Sequence, residues 1–285
     1  MPINTRHERP AISFEAWVKF VFDHPVDQGD SWYWAEELEV PDLELSQVLE
    51  YFARLCRTFK SATQAYSAAQ IDQGVWFLLG DFYSMSECLT NATHKASRHL
   101  EKEKRSALRS IYYVYAEYVA VTLEPEEQTS FYMWWDEICH QFWSHCRSVR
   151  RSPIADEDMP LLIEEASAWV KVDSNILYSD ASQEEIDNHL RDCGIDPDEP
   201  EDEPELKYTE LTLVEKELLD GIFDVLLQIL DIDNHYCQIS ALHGIAHSDH
   251  PKRRATVEAY IEKYADVIPH DELPWVKACA DGKVI

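Results

Sequence analysis

The densest material for chemistry lies in Cys237, His243, His247, Asp249 and His250. Histidines four residues apart share one face of a helix, so His243 and His247 can chelate a metal ion, with His250 or Asp249 completing the shell. A zinc-hydrolase helix would carry Glu directly after its first His; Gly244 stands there, and no general base is supplied. The competing reading is structural: His243 and His247 pack and hydrogen-bond between helices, and His250 closes the turn before Pro251.

Other constellations are thinner. Glu137 and His140 form the i, i+3 unit of di-iron bundles, which need that unit twice, and no second copy occurs in a helical context. Cys139 beside His140, and His145 beside Cys146, suggest a thiol nucleophile or zinc. Helical spacing sets Cys139 and Cys146 on one face with Trp135 and Phe142, the pattern of inert core thiols. With only 7 Gly, the chain contains no glycine-rich phosphate cradle and no G-x-S-x-G. The expected cofactor complement is none.

These residues must be positioned by helices. Ser13 reads as the N-cap of a helix over 14–23, in which Phe14, Trp17, Val18, Val21 and Phe22 recur at helical spacing. A loop through Gly29 follows, with Trp32, Tyr33 and Trp34 in or just after it. An amphipathic helix is expected over 42–60, striped by Leu45, Val48, Leu49, Phe52, Leu55, Cys56 and Phe59. Shorter helices are expected over 67–79 and 82–96, and longer ones over 95–122 and 127–150. The first half of 95–122 is basic, with Lys95, Arg98, Lys102, Lys104, Arg105 and Arg109 against Glu101 and Glu103; its second half is a core stripe of Leu108, Ile111, Tyr112, Tyr115, Tyr118, Val119 and Thr122. Further helices are expected over 213–230, 234–247 and 252–266. No strand-like alternation of β-branched residues emerges, so the fold class is all-α.

Charge divides the chain. Its 54 acids against 25 bases give a net charge of −29. Between Ala155 and Glu210 stand nineteen acids and three bases, and the run Asp196–Glu205 holds seven acids and three prolines in ten residues. Such a run cannot pack a core and is expected to be an extended acidic loop. The expected organisation is an N-terminal helical region (1–195), the acidic Pro-rich loop (196–210) and C-terminal helices (211–285), in one continuous domain. The balance disfavours nucleic acid and anionic membrane, both of which are bound by cations. Seven scattered Cys, without a C-x-x-C, fit reduced thiols. The first ten residues carry no apolar signal core and no run reaches transmembrane length, so a cytoplasmic location is expected.

The segment from Cys237 through Ser240-Ala241-Leu242-His243-Gly244 to Ile261, broken at Pro251, is similar to one HEAT-type helical repeat. Together with Ile71-Asp72-Gln73-Gly74-Val75-Trp76-Phe77-Leu78-Leu79 and Tyr132-Met133-Trp134-Trp135-Asp136, it resembles a bacterial family of helical proteins without an assigned activity. The resemblance implies a HEAT-like helical-repeat bundle or short solenoid and a bacterial origin, and it carries no catalytic residues.

The functional expectation is a non-enzymatic protein that binds a basic protein partner, as an immunity protein neutralises a toxin. Trp32, Tyr33 and Trp34 would anchor that partner, and Asp198, Glu199, Glu201, Asp202 and Glu203 would attract it. The competing view of Trp32–Trp34 is that they tuck under the first helix as core. Two alternatives stand beside the functional expectation: a metal-dependent enzyme using His243, His247 and His250, and a regulatory scaffold.

Overall fold

Ser13 accepts a hydrogen bond from the Ala16 N–H (3.2 Å) and starts α1, Phe14–Phe22, whose Phe14, Trp17, Val18, Val21 and Phe22 are all buried. The computed structural model describes residues 12–26, 31–34, 41, 43–79, 85–90, 100–122, 130–151 and 206–284. Among these every regular element is helical and there is no strand. A 3-10 turn spans Trp32–Trp34. It is followed by α2 (Leu45–Thr63), α3 (Ala68–Leu79), α4 (Met85–Thr90), α5 (Glu101–Val114) and α6 (Ser130–Arg151). The C-terminal part holds α7 (Leu213–Leu230), α8 (His235–His247), α9 (Arg253–Lys263) and α10 (Leu273–Asp281).

Two helices depart from regular geometry. In α2, Thr58 sits at φ −121°, ψ 17°, which kinks the helix after Arg57. Helix α5 runs into a π-helical turn, Tyr115–Val119, and a last turn, Ala120–Thr122. The widened turn brings Tyr115, Tyr118 and Val119 all to buried positions, and Tyr115 donates its hydroxyl to the Phe131 carbonyl at 2.5 Å.

The chain divides into two compact units, Met1–Cys146 with Lys207–Ile285, and Arg147–Leu206. In the first, α2 lies along α5, α7 packs on α5 and α8, and α1 packs on α2 and α3. Its centre holds fully buried Trp17, Phe52, Trp134, Trp135, Phe142 and Phe223. The end of α6 and Leu206 are the described part of the second unit.

Helix ends follow local chemistry. Thr212 and Glu215 form a reciprocal capping box at the start of α7, and the Asn234 side chain accepts from the Cys237 N–H to start α8. Gly282, at φ +68°, ends α10 in the left-handed conformation that glycine adopts at little cost. Helix α10 is absent from the sequence-based expectation. It is short and has a proline at its start, which the first turn tolerates because those N–H groups lack intrahelical partners. Of the helices expected over 82–96 and 95–122, the described parts are Met85–Thr90 and the stretch from Glu101 onward. The acidic run 196–205 lies outside the described residues.

Candidate functional site

Helices α6 and α8 face each other through two i, i+4 ladders, Tyr132 and Asp136 on one and His243 and His247 on the other. Their close approach rests on Gly244: a Cβ there would lie 2.5 Å from Trp135 Cβ and 2.6 Å from Leu226 Cδ2. The His243 ring stacks on Tyr132, with centroids 4.3 Å apart and planes 9° apart, and its Nδ1 lies 3.5 Å from the Tyr132 carbonyl oxygen. His243 Nε2 and His247 Nε2 are 3.1 Å apart, and His247 Nδ1 is 3.3 Å from an Asp136 carboxylate oxygen.

This geometry constrains the protons. Two facing imidazole nitrogens need one proton between them, since two lone pairs or two N–H groups would repel. With His247 donating from Nδ1 to Asp136, the chain Asp136–His247–His243 is a continuous hydrogen-bonded line ending under the Tyr132 ring. Burial, and after it the neighbouring His247, holds His243 below the ordinary histidine value of 6.5. Its side chain is 1% exposed. The line can relay a proton, but its inner end is covered by Tyr132, so the arrangement ties α6 to α8.

His250 is part of a different cluster. Its Nδ1 accepts the Lys252 backbone N–H (3.2 Å), which assigns the proton to Nε2, and Nε2 donates to Asp220 at 3.0 Å. The ring stacks on Phe223 at 3.9 Å, and Tyr208 donates its hydroxyl to the same Asp220 oxygen (3.0 Å). The three histidines considered from the sequence as a metal shell are therefore split between two networks. Asp249, the other proposed ligand, is at φ 48° and pairs with Arg253. Among the described residues no group of three or more His, Cys, Asp or Glu is placed to hold a metal ion.

The remaining sequence candidates also have definite places. Glu137 accepts a hydrogen bond from Gln141 at 3.1 Å, and His140 is exposed. Cys139 and Cys146 are fully buried, and burial raises the Cys139 thiol far above its ordinary value. Burial likewise pushes Cys56, Cys237 and Cys279 to about 12. Such thiols stay protonated and unreactive at neutral pH. Trp32 stacks on His24 at 3.6 Å and meets Phe20 and Phe77, while Tyr33 also packs near Phe77. Both are half-buried against α1 and α3. Asp198, Glu199, Glu201, Asp202 and Glu203 lie outside the described residues, as does the Trp34 side chain.

One feature that the sequence shows only in part is an open groove of about 790 Å³ between α2, α5 and α7, lined by Arg57, Lys102, Arg105, Arg109, Tyr112 and Tyr113 among others. The basic half of α5 is visible in the sequence. That Arg57 joins it from α2 is a tertiary fact. No known protein family, curated protein or solved structure matches the chain. Among the described residues no helix is long and apolar enough to cross a membrane.

Proposed function

We propose that this chain is a non-enzymatic protein-binding protein that captures a basic protein partner, in the manner of a bacterial immunity protein neutralising a toxin. The observation that carries the reading is the net charge of −29, more than half of it contributed between Ala155 and Glu210. A surface of that sign steers a cationic partner into encounter and repels nucleic acid and anionic lipid. Exposed Asp224, Asp231, Asp233, Glu262, Asp266 and Asp271 extend the negative surface over the C-terminal helices. The half-buried Trp32 and Tyr33, packed on Phe20 and Phe77, supply rigid apolar area for an anchor. On this reading the helices, including a HEAT-like α8–α9 unit, are a scaffold that presents the surface. The engaged histidines and the buried, high-pKa thiols support binding over catalysis.

The test is binding kinetics between the purified chain and a candidate basic protein toxin, at ionic strengths of about 0.02 M and about 0.5 M. Steered association predicts an on-rate falling by roughly tenfold or more with salt, and Trp32→Ala chiefly raising the off-rate. No binding, or association indifferent to salt, removes the reading.

A further inference from the structure

In a chain with more than two acids for every base, cations are expected to be neutralised by neighbours. Around the groove three of them are not. Arg57 is exposed on α2 and donates to the neutral Ser106 hydroxyl (2.9 Å). Lys102 and Arg109 are exposed on α5. Among the described residues, none of these three has a carboxylate within ion-pair distance. Arg105 is tethered to Glu217 of α7. Among the described residues that line the groove the one acid is Glu101, which lies beside the buried Lys104 at 3.6 Å.

Three uncompensated cations therefore converge on one concavity of ligand size. Lys102, Arg105 and Arg109 follow an i, i+3, i+7 spacing, which keeps them on one side of α5 over about 10 Å of rise. At the far end of the groove stand Tyr112 and Tyr113, the latter 40% exposed. The two helices that supply these residues are irregular beside them. The α2 kink at Thr58 directly follows Arg57, and the π-turn begins two residues after Tyr113. Helix irregularities of this kind are frequent at functional sites.

We infer that this groove is a binding site for a small phosphate-bearing ligand of nucleotide size, its phosphates held by Arg57, Lys102 and Arg109 and its planar ring lying on Tyr113. Guanidinium forks match phosphate oxygens in a bidentate manner, and an exposed tyrosine face accepts a base by stacking. The overall charge selects for size. A ligand lying within the groove is governed by cations inside one Debye length, about 8 Å in physiological salt. A long polyanion would extend over the surrounding acidic surface and be repelled. The site is independent of the proposed capture of a basic protein, since it uses the opposite charge and other residues.

The experiment is calorimetric titration of the full chain with ATP, inorganic triphosphate and adenosine, repeated on Lys102→Gln, Arg109→Gln and Tyr113→Ala. These side chains are exposed, so the variants should keep the wild-type circular dichroism spectrum. The expected result is saturable ATP binding, weakened tenfold or more by each charge removal and about fivefold or more by Tyr113→Ala. Triphosphate should bind more weakly than ATP, and adenosine more weakly still. Triphosphate binding as tightly as ATP would overturn the assignment of the ring to Tyr113. Absence of binding by both, or affinity unchanged in the Lys102 and Arg109 variants, would overturn the site. Binding of a ten-residue Asp/Glu peptide at the groove in place of ATP would overturn the phosphate assignment in favour of an acidic protein segment.

Discussion

The Lys252 N–H points at the Nδ1 lone pair of His250, and protonating that nitrogen would set two donors face to face. Burial, which outweighs the opposing hydrogen bond to Asp220, accordingly holds His250 below 6.5. The charges around it are Asp220 and Asp224 of α7, which favour the proton, and Lys252, which opposes it. His243 is shifted in the same direction. A histidine whose folded pKa is depressed binds protons more readily when unfolded. Its contribution is therefore constant above about 6.5 and is lost as pH falls from there toward the folded pKa. The acids work the other way, since protonating them relieves repulsion, so the raw pH profile mixes both effects. A difference between variants separates them. Asn at position 250 keeps an acceptor near the Nδ1 position and does not titrate. His250→Asn should cost stability at pH 8 through the lost Phe223 stack, and that cost should shrink as pH falls from 7 to 5. Urea midpoints of the two proteins at several pH values provide the check; parallel profiles would show that His250 does not titrate against the fold. Reactive thiols give a second residue-scale test. Cys56, Cys139, Cys146, Cys237 and Cys279 should resist a thiol reagent at pH 8 in the folded protein and react once it is unfolded.

Two helical glycines predict opposite outcomes for the same substitution. A methyl group on Gly244 would collide with Trp135 and Leu226, both on neighbouring helices with little room to yield. Gly244→Ala should therefore destabilise by about 1–3 kcal/mol, more than the helix-propensity gain restores. On Gly221, in the interior of α7, the nearest atom to a new Cβ is Leu108 Cδ2 at 3.7 Å, an ordinary contact. Gly221→Ala should stabilise by about 0.5–1 kcal/mol. Chemical denaturation of both variants tests the pair, and the same sign at both positions would contradict the packing described. At this scale the sequence was legible where apolar spacing marks a helix, as after the Ser13 cap for α1 and over the largely apolar Leu213–Leu230 for α7. It was silent where the decision is tertiary. The π-turn at Tyr115–Val119 buries three side chains, Tyr115, Tyr118 and Val119, and periodicity within α5 does not record it. The candidate site divides in the same way. That His243 and His247 share a face could be read from their spacing. That Tyr132 and Asp136, more than a hundred residues earlier, answer them could not. Nor could the split between His250 and the other two, which depends on α7 bringing Asp220 and Phe223 to the turn before α9.

For the whole molecule, the net charge of −29 sets a term that no single contact contains. Like charges held in a compact fold repel, and unfolding lets them separate. Opposing this are exposed ion pairs such as Lys19–Asp23 (3.0 Å) and Arg54–Glu15 (2.9 Å), which solvent and salt weaken. With 54 acids against 25 bases, repulsive pairs outnumber attractive ones, so screening should favour the folded state. Raising sodium chloride from about 0.01 M to about 0.5 M shortens the Debye length from roughly 30 Å to below the spacing of most surface charges. The melting temperature should rise over that range, steeply at first and then level off. A falling melting temperature would mean that the ion pairs, rather than the net charge, dominate. Phosphate compared with chloride at equal ionic strength sharpens the outcome. Screening predicts nearly equal shifts at low concentration, where general exclusion of phosphate from the surface is still small. An anion bound at Arg57, Lys102 and Arg109 predicts an extra rise with phosphate that follows mass action and disappears in Lys102→Gln and Arg109→Gln. The melting curves therefore separate a property of the total charge from a property of one groove.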